Sequence, residues 1–175
     1  MDVEIDFRPV QLRKLIEPPE GQEKPAPRPK LGPRKSADYQ ASVRHWAALC
    51  DAPISKDAAQ FMKTDTSLAL RAALVAKDEG RFHEYHDPMY RARWAEPRDL
   101  SDPEVVRSLL DAAGLDADAA LSRAESEELV NRLDIDTKEA IQRGVFGVPT
   151  MFVDDQMFWG NDRFELVRHY LTRTT

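Results

Sequence analysis

The sequence predicts an α/β fold in which an all-helical block separates two parts of one sheet. Three observations predict this class. Residues 2–7 alternate polar and apolar side chains, most of residues 36–143 carries apolar side chains at helical spacing, and two β-rich runs follow at 150–153 and 156–159. Alternation with a period of two is typical of a half-buried strand, whereas apolar residues three and four positions apart form one face of a helix. A chain of 175 residues can hold one domain, with or without an insertion.

The first part of the chain is predicted to be a strand followed by a long loop. The strand at residues 2–7 places Val3, Ile5 and Phe7 on one face, and a short helical turn at most follows it. Residues 17–35 contain six prolines, so we expect an extended surface loop there. A segment that docks into an SH3-type groove is the less favoured alternative.

Helical spacing and capping signals then predict a series of helices. They cover residues 36–49, 65–80, 81–94, 101–114 and 126–143, with a short helix from residue 116 between the last two. Pro88 should kink or split the third of them, because proline lacks the N–H that a helix interior needs. Four aromatic residues of this block are expected to pack in the core or between domains: Trp46, Tyr85, Tyr90 and Trp94.

Composition and a few single residues exclude several kinds of function. The net charge of −6 argues against general nucleic-acid binding, and no apolar run reaches membrane-spanning length. The start of the chain lacks a signal-peptide pattern, so we expect a cytoplasmic protein. Cys50 is the only cysteine, which removes Cys-x-x-Cys redox chemistry, and its apolar helical position predicts a buried structural thiol. His83 and His86 share a predicted helix face but lack a third ligand, so we expect solvated or hydrogen-bonded side chains rather than a metal site.

The C-terminal stretch carries the most specific local signals. Gly144 fits the position just after a helix, where a left-handed conformation is favoured. The two β-rich runs are separated by two acidic residues and predict a hairpin. Pro149 stands at the first strand position, where a missing N–H is tolerated. Asp162 followed three positions later by Glu165 is a capping-box pattern for a last helix.

The same stretch resembles one family. Gly147-Val148-Pro149-Thr150, the hairpin, and residues 158–163 (Phe-Trp-Gly-Asn-Asp-Arg) are similar to the C-terminal part of 2-hydroxychromene-2-carboxylate isomerases, as are several collinear stretches after residue 66. These enzymes are relatives of kappa-class glutathione transferases and of DsbA oxidoreductases. The resemblance implies a thioredoxin-like domain at 1–16 and 126–175, a helical insertion domain at 36–125 and a Pro-rich loop at 17–35. It also implies a cis proline at Pro149.

The resemblance implies that glutathione is the cofactor and suggests which residues bind it. The backbone of Val148, just before Pro149, would pair with the cysteinyl part of glutathione. Asn161 and Asp162 would hold its γ-glutamyl end, the acid suiting the ammonium and free N–H groups the carboxylate. The alternatives are a simple strand-entry proline and a plain helix N-cap. Phe158 and Trp159 could wall the pocket of an aromatic substrate.

The sequence also departs from the family pattern. Residues 2–7 resemble the second strand of a sheet with the order 2-1-3-4, so we expect the central first strand, and the catalytic serine in the loop after it, to lie before Met1. We therefore hypothesise that Met1 is not the native start or that the chain is a fragment, with a truncated inactive relative as the alternative. Glu17 stands where family members often have an asparagine that contacts glutathione, and Lys35 could fill a basic position of the family.

The implied activity is the glutathione-dependent isomerisation of a small molecule from aromatic-ring degradation. The alternatives are a kappa-type transferase, in which glutathione stays on the product, and a non-catalytic thioredoxin-fold binding protein. The family also implies a homodimer.

Overall fold

The computed structural model describes residues 3–17 and 32–173. These residues form two compact units: one contains residues 3–17 and 133–173, and the other contains residues 32–132. The helices of the described residues are α1 (Leu12–Ile16), α2 (Pro33–Leu49), α3 (Ser67–Asp78), α4 (Phe82–Trp94), α5 (Pro103–Ala112), α6 (Ala117–Glu125), α7 (Glu127–Gln142) and α8 (Phe164–Leu171). The strands are β1 (Thr150–Val153) and β2 (Gln156–Trp159), and single 3-10 turns occupy Ala58–Phe61 and Asn161–Arg163. The predicted domain limits stay a prediction.

Helix α3 forms the centre of the helical unit and packs against α4, α5 and α6. Its buried face is rich in alanine, which lets neighbouring helices approach closely, and Tyr85 of α4 donates a hydrogen bond of 3.1 Å to the carbonyl oxygen of Ala69. Burial raises the pKa of the Tyr85 hydroxyl. Two aspartates cap the adjoining helices as side-chain acceptors: Asp102 accepts from the N–H of Glu104, and Asp116 accepts from the N–H of Ala119.

An ion-pair network joins three helices at one end of this unit. The carboxylate of Asp78, at the C-terminus of α3, lies 2.5 Å from the guanidinium of Arg123 in α6 and 2.8 Å from that of Arg132 in α7. About a quarter of the Asp78 side chain remains exposed. The network therefore fixes the ends of α3, α6 and α7 relative to each other, with only partial screening by water.

The N-terminal segment is held against α7 by polar contacts. Thr137 is fully buried, and its hydroxyl accepts from the N–H of Gln11 at 3.1 Å while donating to the carbonyl oxygen of Leu133 at 2.7 Å. Lys14 pairs with Asp134, and Arg8 lies 3.0 Å from Glu139. These contacts attach residues 8–14 along one side of the second half of α7.

The strand predicted at residues 2–7 is wrong over the residues described. Residues 3–11 have no regular secondary structure, and Val3 and Ile5 are 44% and 65% exposed. The described part of the chain offers residues 3–7 no neighbouring strand, since β1 and β2 pair with each other. Without a ladder partner, an alternating pattern is not sufficient to make a strand. The short helical turn predicted next is confirmed as α1.

Several predictions for the following helices need correction. Helix α2 begins at Pro33, three residues early, because proline fits the first helical position where no N–H is needed. The rest of the predicted Pro-rich loop, residues 18–31, lies outside the described residues. Cys50 follows the end of α2 and is exposed, so the predicted buried thiol is wrong. None of the residues of α2 is buried. The apolar side chains of this helix therefore do not form a buried face that could include Cys50.

The aromatic residues expected in the core divide into two groups. Tyr85 is buried and Trp94 is half-buried, but Trp46 and Tyr90 are 39% and 51% exposed, so the prediction is wrong for those two. Helix α4 runs past Pro88 without a break, so the split is wrong, whereas the alternative, a kink at Pro88, stays a prediction.

The side chain of His86 takes part in local contacts on α4. Its Nδ1 lies 2.9 Å from Asp87, and its ring packs between Phe82 and Tyr90 with centroid distances of 5.1 and 4.6 Å. In the two described stretches, no group of three metal-ligating side chains comes together, and no helix is long and apolar enough to cross a bilayer.

Candidate functional site

The candidate site begins where α7 ends. Gly144 adopts φ of +86°, its N–H donates to the carbonyl oxygen of Ile141, and the N–H of Val145 donates to that of Ala140. This pair of bonds is a Schellman motif, and the left-handed conformation at its centre favours glycine. The predicted helix end is thereby confirmed. The motif reverses the chain and buries Val145, which fixes the start of the loop that leads to β1.

A β-hairpin follows this loop and forms the next part of the candidate site. β1 and β2 pair antiparallel with Thr150 opposite Trp159 and Val153 opposite Gln156, as the two β-rich runs predict. The connecting turn contains Asp154 at φ of +51°, a conformation that aspartate tolerates better than most residues. The end of β2 therefore lies beside the start of β1, next to Pro149.

The loop before β1 leaves one main-chain segment open. The Val148–Pro149 peptide bond is cis, as the family resemblance implies. Thr150 Oγ1 donates to the carbonyl oxygen of Gly147 at 2.7 Å, and the N–H of Gly160 donates to that of Pro149 at 3.0 Å. Val148 is 46% exposed, and its own N–H and carbonyl make no hydrogen bond with any other described residue. The loop is thus fixed on both sides of Val148 while Val148 can still accept and donate.

Asn161 and Asp162 lie on the turn that this last hydrogen bond attaches to Pro149. They belong to a 3-10 turn after Gly160, whose φ is +107°, and both are exposed. A side chain at Gly160 would meet Asp162 Oδ1 at 2.6 Å, so the carboxylate lies close against the main chain of Gly160. The predicted capping box is wrong: the residue before α8 is Arg163, and no side chain caps that helix. The 3-10 turn moves the start of α8 beyond Asp162.

The two adjacent aromatic residues of β2 point to opposite faces of the hairpin. Phe158 is buried and packs against Tyr170 of α8 with a centroid distance of 5.1 Å, so its predicted place in a pocket wall is wrong. Trp159 is 50% exposed and packs against Phe146 at 4.8 Å. Sequence reasoning missed Phe146, although an aromatic residue three positions before a strand-entry proline and next to Gly147 was an available signal.

Gly147 is where the loop and the indole of Trp159 come closest. A side chain at Gly147 would begin 2.6 Å from Trp159 Nε1, a distance that requires a shift. The glycine is therefore needed for close approach, and its contact places Trp159 directly beside the Val148–Pro149 segment.

Glu17 and Lys35 are the two other residues that the family resemblance relates to a cofactor. Glu17 ends α1, is exposed, and borders residues outside the described part of the chain. Lys35 is exposed in the first turn of α2. Their predicted relation to a cofactor stays a prediction.

Comparison with known proteins identifies a family and several relatives that match most of the chain. The model of the DsbA-like thioredoxin domain family matches residues 1–172. The chain is 35% identical over 131 residues to a 2-hydroxychromene-2-carboxylate isomerase of Sphingobium xenophagum, a match that covers 75% of this chain and 65% of the relative. It is 31% identical over 137 residues to the protein of the same name from Pseudomonas sp. (strain C18), covering 75% of this chain and 61% of the relative.

A solved 2-hydroxychromene-2-carboxylate isomerase is similar in structure. The TM-score is 0.75 at 25% sequence identity, and the match covers 97% of this chain and 80% of that chain. The chain spans 65% and 61% of the lengths of the two curated relatives described above, which is less than two thirds of each.

Proposed function

The chain belongs to the DsbA-like thioredoxin domain family, and we propose that it works as a glutathione-dependent isomerase on a small aromatic-derived substrate. The membership and the similarity to the isomerases confirm the predicted family resemblance and the thioredoxin-like fold. The names of the relatives support the proposed type of reaction, isomerisation. We add to this reaction type the proposal that glutathione is the cofactor.

The observation that carries the proposal is the open main chain of Val148. Val148 is 46% exposed, and its N–H and carbonyl have no hydrogen-bond partner among the described residues, so this main-chain segment can pair with an extended peptide in the way that a sheet edge accepts a strand. Glutathione is a tripeptide with such a main chain at its cysteine. Because Pro149 and Gly147 are held by hydrogen bonds on either side, Val148 would need little reorganisation to bind it.

The donors and acceptors nearby fit the charged end of the same ligand. Asp162 offers a carboxylate for the γ-glutamyl ammonium, and Asn161 offers an amide for the adjacent carboxylate. Both residues lie on the turn that the Gly160 N–H attaches to Pro149. When bound, glutathione supplies the thiol for reversible addition to a conjugated carbonyl compound. We assign to this chain the binding and orientation of the ligand, and none of its residues to thiol activation.

Calorimetry with glutathione tests the binding proposal. We expect Asp162→Asn to weaken binding about fivefold to tenfold, since one charge-assisted hydrogen bond is lost. Asp155→Asn is the matched control, because this aspartate is also exposed and lies at the opposite end of the hairpin, and it should leave binding unchanged. Equal weakening by both variants, or no binding by the parent chain, would remove the proposed site.

A turnover assay separates isomerase from transferase. We expect isomerisation of 2-hydroxychromene-2-carboxylate to require glutathione and to leave its concentration unchanged. Glutathione lost in proportion to product would instead identify the kappa-type transferase. Glutathione binding without turnover would identify the non-catalytic binding protein. The homodimer and the cytoplasmic location expected from the sequence stay predictions.

A further inference from the structure

The guanidinium of Arg93, in the last turn of α4, is a cation without an acidic partner. Within residues 3–17 and 32–173, no carboxylate lies at ion-pair distance from it, and partial burial lowers its pKa. One of its nitrogens donates to the carbonyl oxygen of Ala58 at 3.0 Å, and the group lies over the ring of Trp94 at 4.3 Å from the centroid. A cation that has lost part of its hydration gains most from a strong acceptor.

The second terminal nitrogen of Arg93 contacts a much weaker acceptor. It lies 2.8 Å from the thioether sulfur of Met62, which follows the 3-10 turn Ala58–Phe61. Met62 is also the most accessible methionine in the described part of the chain. The exposed fractions are 56% for Met62, 37% for Met157 and 8% for Met89, and Met151 is half-buried. An accessible sulfur therefore lies beside a donor that a thioether satisfies poorly.

We propose that Met62 is a site of oxidation to methionine sulfoxide and that Arg93 binds the sulfoxide oxygen. The oxidant is a hydroperoxide, whose terminal oxygen is transferred to the sulfur: the O–O bond breaks and an S–O bond forms. The proton of the transferred oxygen goes to the departing oxygen, so hydrogen peroxide leaves as water. The sulfur is oxidised and the peroxide is reduced.

The product suits Arg93 better than the thioether does. A sulfoxide carries a polar oxygen that accepts strong hydrogen bonds, and a bond from a guanidinium is charge-assisted. The methionine side chain has three rotatable bonds, so it can turn this oxygen towards the guanidinium. Sulfoxide formation usually disrupts apolar packing, but Met62 is mostly exposed and has little packing to lose.

The new bond would strengthen the attachment of residues 55–62 to α4. Two hydrogen bonds already attach this segment: the N–H of Ser55 donates to the carbonyl oxygen of Trp94 at 2.7 Å, and Arg93 donates to Ala58. A third bond from α4 to Met62 closes the segment at its far end. Oxidation at Met62 should therefore stabilise the protein. This inference goes beyond the proposed function and is independent of the hairpin site.

The first measurement locates the oxidised residue. The full chain is treated with limiting hydrogen peroxide, and peptide mass spectrometry follows the sulfoxide at each methionine with time. We expect Met62 to be oxidised first, ahead of Met157, the next most exposed of the described methionines. Oxidation of Met157 or Met151 before Met62 would overturn the assignment.

The second measurement tests the bond to Arg93 through the melting temperature. We compare the parent chain with Met62→Leu after the same peroxide treatment, so that oxidation of Cys50 and of the other methionines cancels. Sulfoxide at Met62 should raise the melting temperature by about 1–3 °C. Arg93→Ala should show no rise on oxidation, because the donor is absent. A fall in the parent chain relative to Met62→Leu would overturn the inference.

Two other variants complete the comparison. Arg91→Ala is the matched control, because Arg91 lies in the same turn of α4 but pairs with Glu96 at 2.7 Å, and it should keep the full rise. Arg93→Gln keeps an N–H donor without the charge and should show a smaller rise than the parent chain, which provides a second test if Arg93→Ala does not fold. Equal rises in the Arg91 and Arg93 variants would show that Arg93 does not bind the sulfoxide.

Discussion

Replacing Thr137 with valine tests how the N-terminal segment is attached. Valine has nearly the shape of threonine, so the fully buried site keeps its packing, but the N–H of Gln11 loses its 3.1 Å acceptor. Leaving a buried or half-buried donor unsatisfied costs about 1–3 kcal/mol. The carbonyl of Leu133 loses only its second donor, because the helix still supplies one. We expect the free energy of unfolding to fall by about 1–2 kcal/mol and the melting temperature by roughly 2–8 °C.

Amide hydrogen exchange identifies the mechanism more sharply than the melting temperature does. Thr137→Ser keeps the hydroxyl and deletes one buried methyl group, which costs about 0.8 kcal/mol by itself. Global stability therefore falls in both variants. The N–H of Gln11 should stay protected in Thr137→Ser and exchange much faster in Thr137→Val. Equal protection of Gln11 in the two variants would refute the claim that the Thr137 hydroxyl attaches this segment.

Three further predictions follow from other contacts. Gly147→Ala should lower stability by about 1–3 kcal/mol and change the fluorescence of Trp159, since the added carbon would lie 2.6 Å from the indole nitrogen; unchanged fluorescence and stability would contradict the contact. Asp78→Asn should lower the free energy of unfolding by about 1 kcal/mol in dilute buffer, because two arginines lose their shared carboxylate. The loss should be smaller in 1 M salt, which screens ion pairs, and a loss that does not depend on salt would argue against them. Hydrogen bonds from two lysines hold the pKa of Asp134 below its ordinary value, so its stabilisation is present above about pH 3.9 and is lost as pH falls through the folded pKa. In urea unfolding, Asp134→Asn should cost less than about 1 kcal/mol at pH 7, and this cost should shrink as the pH is lowered; a cost that does not change with pH would contradict the ion pairs.

The C-terminal hairpin was predictable because its signals are local. Gly144 and Val145 end α7 by donating hydrogen bonds to carbonyls three and five positions before them, respectively, and the hairpin joins two runs separated by only two residues. Such elements depend on conformational preferences over a few positions. Asp116 likewise caps the helix that directly follows it, as a helix start at residue 116 predicts. Helix α5 is capped by Asp102 and not by Ser101, where the predicted helix began, so that start is one residue wrong.

The wrong predictions share a different physical origin. Val3 and Ile5 alternate with polar residues and so define one apolar face, but this pattern cannot supply the neighbouring strand that a β-ladder requires. The helical spacing that includes Cys50 defines a stripe on α2 but not whether another element covers it. Alternation in β2 places Phe158 and Trp159 on opposite faces, yet only the packing of α8 decides which one is buried. In each case the sequence pattern is present and the deciding contact is distant in the chain.

The candidate site combines both kinds of information. Its frame is local, since the Gly147–Thr150 and Pro149–Gly160 hydrogen bonds span a short loop and one hairpin. These bonds use the carbonyls on either side of Val148, while the N–H and carbonyl of the half-exposed Val148 have no partner among the described residues. Polar groups that water reaches cost the fold little, so stability alone does not require a protein partner for them. A rigid frame around one open main-chain segment favours the binding of a peptide-like ligand. The protein loses the conformational entropy of this loop when it folds, so little more is lost on binding.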